Sequence, residues 1–179
     1  MKLFKNYPLI ILISFFFFGC DFESPSVSDN QINNSVEITP VDNTSLAQNL
    51  PIGAKLLIND QEIELEIAAT PQQQSIGLMY RNSLPPNRGM LFPFNPPQTV
   101  SFWMKNVSIP LDMIFVSEGV VKNIVKAPPC KVEPCPLFNS NVPIDQVIEL
   151  AENRSTELKI NIGDRINVKM VEDEKKKEN

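Results

Sequence analysis

Apolar and polar positions alternate along much of residues 54–172, and the runs are short. "AKLLI" (54–58) is a short, mostly apolar run, and in "EIELEIA" (62–68) Ile63, Leu65 and Ile67 lie on every second position. Such a period of two predicts strands with one face buried and the other in water. Asn59-Asp60 between them is a hairpin signal. In the second run, Ile63, Leu65 and Ile67 face the core, while Glu62, Glu64 and Glu66 face solvent. "MLFPF" (90–94), "VSFWM" (100–104), "DMIFV" (112–116), "VVKNIV" (120–125), "QVIEL" (146–150) and "RINVKMV" (165–171) read as further strands. Pro93 marks an edge or a bulge.

One helix interrupts the pattern. Thr70 is a good N-cap, Pro71 suits the first helical position, and Gln73 completes a Thr-x-x-Gln capping box. The expected helix runs from Pro71 to Tyr80 or Asn82, before Pro85-Pro86, with Gly77 as its weak point. A second helical turn is expected at 155–159. Many short strands with one prominent helix predict a mainly β domain, a compact β-sandwich or partly open barrel.

The pattern changes at the ends. Lys2 and Lys5 precede an apolar run from Leu9 to Phe18, followed by Gly19-Cys20. A spanning helix needs about 20 apolar residues, so this run is too short. It predicts a signal peptide over 1–19, and its Phe-Phe-Gly-Cys ending resembles a bacterial lipobox in which Cys20 is acylated. The expected location is exported and membrane-anchored, on the periplasmic or cell-surface side. Residues 20–53 are rich in Ser, Asn, Asp, Gln and Pro and read as a disordered tether after the lipidated Cys20. Residues 54–172 form the domain, and 173–179 a polar tail.

Composition narrows the chemistry. The chain has no histidine, which excludes histidine triads and histidine metal sites within it. Its formal net charge is -5. Without a basic stripe, phosphate-backbone binding has little to work with, and no nucleic-acid partner is expected. Removing Cys20 to a lipid leaves Cys130 and Cys135, expected as a disulfide in an oxidising compartment. The other reading of that pair, a metal site, lacks ligands to complete it.

Three segments, "GLMYRNSLPPNRGMLFPF", "FWMKNVSIPLDMIF" and "APPCKVEPCPLF", together with "VIEL" and "GDRINV", resemble the bacterial and archaeal family called domain of unknown function 192. The likeness spans Leu56 to Val171. It implies a compact, mainly β, sandwich-like fold with one prominent helix, and implies no activity. The chain departs from the family pattern at Val107, Phe138 and Asn153. The family often has glycine where Asn153 stands, and asparagine is the next-best residue for a left-handed turn.

Within "SFWMKNVSIPLDMIF" (101–115) lie two opposite charges. If 102–105 and 112–115 form a hairpin, Lys105 falls opposite Asp112, on the face of Trp103. Two readings follow: an ion pair that fixes register, or a pocket lined by Arg81, Trp103, Lys105, Asn106 and Asp112 for a small ligand. The best functional expectation is a membrane-anchored small-ligand binding or interaction module, with no cofactor implied and protein partners unspecified. One alternative is a hydrolase using Asp112 and Lys105, although no catalytic motif stands out. Another is a Cu(I) protein using Met79, Met90, Met104 and Met113, since soft thioethers select Cu(I).

Overall fold

The computed structural model describes residues 43–171. The expected signal peptide (1–19), the lipidation site Cys20, most of the tether and the polar tail (173–179) lie outside the described residues.

The architecture is mainly β. Among the described residues nine strands run in chain order as β1 (Ile52–Ile58), β2 (Gln61–Ile67), β3 (Arg88–Gln98), β4 (Ser101–Trp103), β5 (Leu111–Ser117), β6 (Val120–Ala127), β7 (Leu137–Asn139), β8 (Ile144–Ala151) and β9 (Asn167–Met170). Two short helices join them, α1 (Pro71–Ile76) and α2 (Arg154–Glu157). Seven strands form one sheet in the order β6-β5-β8-β3-β2-β1-β9, and β4 pairs with β7 in a second, two-stranded sheet. The large sheet does not close into a barrel. Its pairs are antiparallel except β2–β3, because α1 carries the chain back between those two strands.

Local signals account for much of this. Asn59 and Asp60 both take positive φ, 46° and 61°, as a tight hairpin turn between right-twisted strands requires. The Thr70 hydroxyl accepts from the Gln73 N–H while the Gln73 side chain accepts from the Thr70 N–H, so both arms of the capping box are present. The helix is shorter than expected. It ends at Gly77, whose φ of 50° breaks the helical path, and the chain continues as turns through Tyr80 at φ 64°. Pro93 sits where β3 has left β2 behind, since that pairing stops at Leu91, and the β3–β8 register slips just after it. Its missing N–H therefore costs no ladder bond on the β2 side.

The interior strands are apolar on both faces, and each face carries its own core. One holds Leu56, Leu65, Leu91, Ile114, Ile148 and Leu150, covered by Leu158, Ile160 and Ile166. The other holds Met90, Phe92, Met113, Phe115 and Val147, covered by Leu78, Met104 and Val107. Phe102 of β4 sits edge-on to Phe92, Phe94 and Phe115, with centroids 5.1, 6.4 and 6.2 Å away, which ties the small sheet to this second face.

Three expectations require correction. The described chain is packed before residue 54: β1 opens at Ile52, Gln48 donates to the carbonyls of Gln73 and Gly77, and the Leu50 N–H donates to Glu66. The glutamates of β2 do not all face water, because this segment and the α1 exit cover Glu66, which is only 3% exposed. The third concerns the hairpin. β4 pairs with β7, β5 pairs with β6 and β8, and Lys105 and Asp112 are not opposed. β7, in the proline-rich "PCPLFN" stretch, was not expected from pattern and supplies the partner that the hairpin reading gave to β5.

Candidate functional site

The five candidate residues separate into three places. Asp112 is fully buried on the first face, where its carboxylate accepts from the N–H groups of Asn153 (3.2 Å) and Ser155 (2.8 Å) and from the Ser155 hydroxyl. Lys126 Nζ is 3.9 Å away. These bonds hold the first turn of α2, and Asn153 takes the left-handed conformation at φ 64°. Asp112 is thus a structural cap here, away from Lys105.

Lys105 instead pairs with Glu133 at 3.1 Å, in the loop closed by the Cys130–Cys135 disulfide, whose Cα atoms are 5.5 Å apart. Its ammonium also lies 5.6 Å from the Trp103 ring centroid. Trp103 is 48% exposed. A hydrolase pairing Asp112 with Lys105 has no geometric basis.

Arg81 and Asn106 meet where two of the recognised segments dock. The Tyr80 N–H donates to the Asn106 carbonyl at 2.8 Å, the Asn106 amide donates to the Tyr80 hydroxyl, and the Ser108 hydroxyl donates to the Arg81 carbonyl. Arg81 makes a fork-like pair with Glu66, Nη1–Oε1 2.9 Å and Nη2–Oε2 2.7 Å, and also donates to the Gln48 carbonyl. Burial pushes the Glu66 carboxyl up. The Arg81 and Leu50 hydrogen bonds and the charges of Arg81 and Arg88 outweigh it and hold the group below its ordinary value. Arg81 Nε is buried without a partner.

Beside this pair stands Glu149, a residue that strand reasoning passed over. In the register of the sheet, Glu66, Met90, Glu149 and Met113 lie in one row across β2, β3, β8 and β5, on the second face. Glu149 is only 5% exposed, and its carboxyl makes no hydrogen bond among the described residues. Burial raises its pKa to about 8, with the charge of Arg81 opposing. A signal was present in "VIELA". The strand is apolar on both sides of its alternation, so it is interior, and a glutamate on it has no solvent-facing side to use.

Glu149 lines a narrow slot of about 30 Å³ with Gln74 to Met79, Phe102, Trp103 and Val107. The slot adjoins an open groove of about 340 Å³, also walled by Gln74, Ser75, Phe102 and Trp103, and further by Phe94, Gln98 and Val100. An unpartnered carboxyl at the inner end and an aromatic rim at the mouth form the most chemically distinctive feature of the domain. A larger polar cleft of about 530 Å³ runs past Arg81, Asn82, Asn87 and Arg88, but the Arg81 guanidinium is already engaged with Glu66 and Gln48. The four motif methionines share the second core, yet only Met79 lines the slot. Among the described residues no group of three or more Cys, Asp or Glu is placed to hold a metal ion.

Two solved structures resemble this domain. One is a protein of Sinorhizobium meliloti 1021 described as a candidate transcription regulator, 33% identical, with a TM-score of 0.58 over 64% of this chain and 91% of the other. The second is a protein of unknown function from Novosphingobium aromaticivorans DSM 12444, 32% identical, with a TM-score of 0.57 over 64% of this chain and 83% of the other. No curated protein matches. Residues 54–168 match the family described as Uncharacterized ACR, and the chain belongs to it: domain of unknown function 192.

Proposed function

We propose that this domain is a small-ligand binding module whose site is the Trp103 groove and the Glu149 slot beneath it. One observation carries the reading: Glu149 is buried in apolar surroundings, lacks a hydrogen-bond partner among the described residues, and lines a cavity. The carboxyl is not sealed into the core: its oxygens open to the slot, where a ligand can reach them. The regulator description of the Sinorhizobium relative is not carried over, because a net charge of -5 offers little to a phosphate backbone.

A thermal-shift screen of small molecules on the full chain tests this. Hits should raise the melting temperature of the wild type. They should lose that effect in Ser75→Phe, which places a ring where an exposed serine borders both cavities. They should keep it in Asn87→Ala, on the wall of the separate polar cleft. Hits that survive Ser75→Phe and vanish in Asn87→Ala would move the site to that cleft.

The module is further proposed to be exported and tethered to a membrane by an acylated Cys20, on the support of the basic start, the short apolar run and Gly19-Cys20. Mass spectrometry of the membrane-extracted protein should find a chain that begins at a diacyl or triacyl Cys20. A retained Met1 would refute it.

A further inference from the structure

Resting on the groove reading, we infer that the ligand is an organic ammonium, with its cationic head in the slot against Glu149 and its apolar body in the groove along Phe94, Val100, Phe102 and Trp103. The dimensions suit that division. A slot of about 30 Å³ is the size of a single water-sized group, and the adjoining groove is about ten times larger. A charged head with an apolar tail fills both, whereas a wholly apolar ligand leaves the carboxyl unpaired.

The charges around the slot favour a cation. Glu149 faces Met90 and Met113 from β3 and β5, neither of which can neutralise it. Gln74 and Ser75 of α1 are neutral. Arg81 acts on Glu149 through its field; both its Nη atoms are taken by Glu66 and Gln48, and its Nε, unpartnered among the described residues, makes no hydrogen bond to Glu149. Glu66, in the same row, is balanced by Arg81 and Arg88 and lies outside the lining of the slot. Tyr80 is engaged by Asn106, and Lys105 is held by Glu133 outside the lining of the slot. At the mouth, the Lys105 ammonium lies 5.6 Å from the Trp103 ring centroid, within the range at which an aromatic face attracts a cation. A soft metal ion is the poorer occupant, because a single thioether, Met79, reaches the slot.

The protonation state supplies the signature. With its pKa raised to about 8, free Glu149 holds its proton at neutral pH. A bound ammonium pairs with the ionised form, so the carboxyl gives up its proton to solvent as the ligand enters. Affinity for a primary ammonium that stays charged through this window should therefore rise about tenfold per pH unit up to about pH 8, then level off. A neutral ligand that accepts a hydrogen bond from the protonated carboxyl behaves oppositely and weakens above that pH.

Trp103 is the chain's only tryptophan, so its fluorescence reads the groove directly. The full chain in detergent is titrated with benzylammonium, phenethylammonium and benzyl alcohol at several pH values between about 6 and about 9. At least one of the two cations should bind more tightly than the alcohol, with the rising pH profile. Glu149→Gln should weaken that cation at least tenfold and flatten its profile; Glu149→Asp should keep part of both. An alcohol bound as tightly as the cations, or an affinity that falls through about pH 8, would overturn the ammonium inference. So would silence toward both cations while screening hits remain blocked by Ser75→Phe, and in each of these cases the groove reading stands. Silence of every probe and every screened compound would remove both.

Discussion

Replacing Asp112 by alanine should destabilise the domain by at least about 3 kcal/mol, while Lys105→Met should change its stability by less than about 1 kcal/mol. Asp112 is fully buried, and its two oxygens are the acceptors for the Asn153 N–H, the Ser155 N–H and the Ser155 hydroxyl. Ser155 is itself buried, so its two donors find no water when the carboxylate is removed. Each buried group left unpaired costs about 1–3 kcal/mol, and the lost side chain also leaves a void. The damage spreads because Asp112 fixes α2, and Leu158 and Ile160 behind it cover one core. Lys105 has a surface pair with Glu133, whose side chain is 67% exposed, and such pairs contribute little. Urea unfolding of the two variants measures the difference. Comparable losses in both would mean that the two charges are coupled after all.

That contrast also marks how far the chain could be read from its pattern. Elements governed by neighbours in sequence were legible. Thr70-Pro71-x-Gln73 carries its own capping bonds, Asn59-Asp60 carries its own turn, and the glutamate alternation of β2 predicts a strand. What failed depends on distant partners. The same alternation cannot say that Glu66 is covered, because its cover is the segment near Gln48 and Leu50 together with Arg81. Alternation in 101–115 sorts faces correctly within each run, but the choice of partner strand lies in the loop beyond Cys135. A three-residue strand such as β7 is too short to show a period. A charge in an apolar run marks Asp112 as special, but its donors are 41 and 43 residues away, beyond what local alternation can show. Glu149 was legible in principle, since "VIELA" offers a glutamate no wet face. Only the packing of α1 and β4 over β8 makes a cavity there.

Glu149→Gln should remove a fall in stability that the wild type shows as pH rises from about 4.5 to about 8. The unfolded chain loses the Glu149 proton near its ordinary value of 4.5, whereas the folded chain keeps it until about 8. Between those values the unfolded state binds fewer protons, so each pH unit favours unfolding by about 1.4 kcal/mol. The stability associated with the protonated group is fully present below about 4.5 and lost as pH climbs through the window. The total is on the order of 5 kcal/mol, after which the profile levels off. Glu66 works in the other direction and outside this window. Its pKa is lowered, so its contribution is present above 4.5 and is lost only as pH falls through its folded value. The chain has no histidine, so no imidazole titrates between pH 5 and 8 to blur the result. Urea midpoints measured across this range for wild type and Glu149→Gln should converge near pH 5 and separate toward pH 8, with the glutamine variant the more stable. Parallel profiles would mean that Glu149 is ionised in the folded domain at neutral pH, with a cation already beside it. If the profiles separate, the wild type carries at neutral pH a carboxyl that weakens its own fold, and apolar packing alone gives no reason to keep a glutamate at the inner end of a slot.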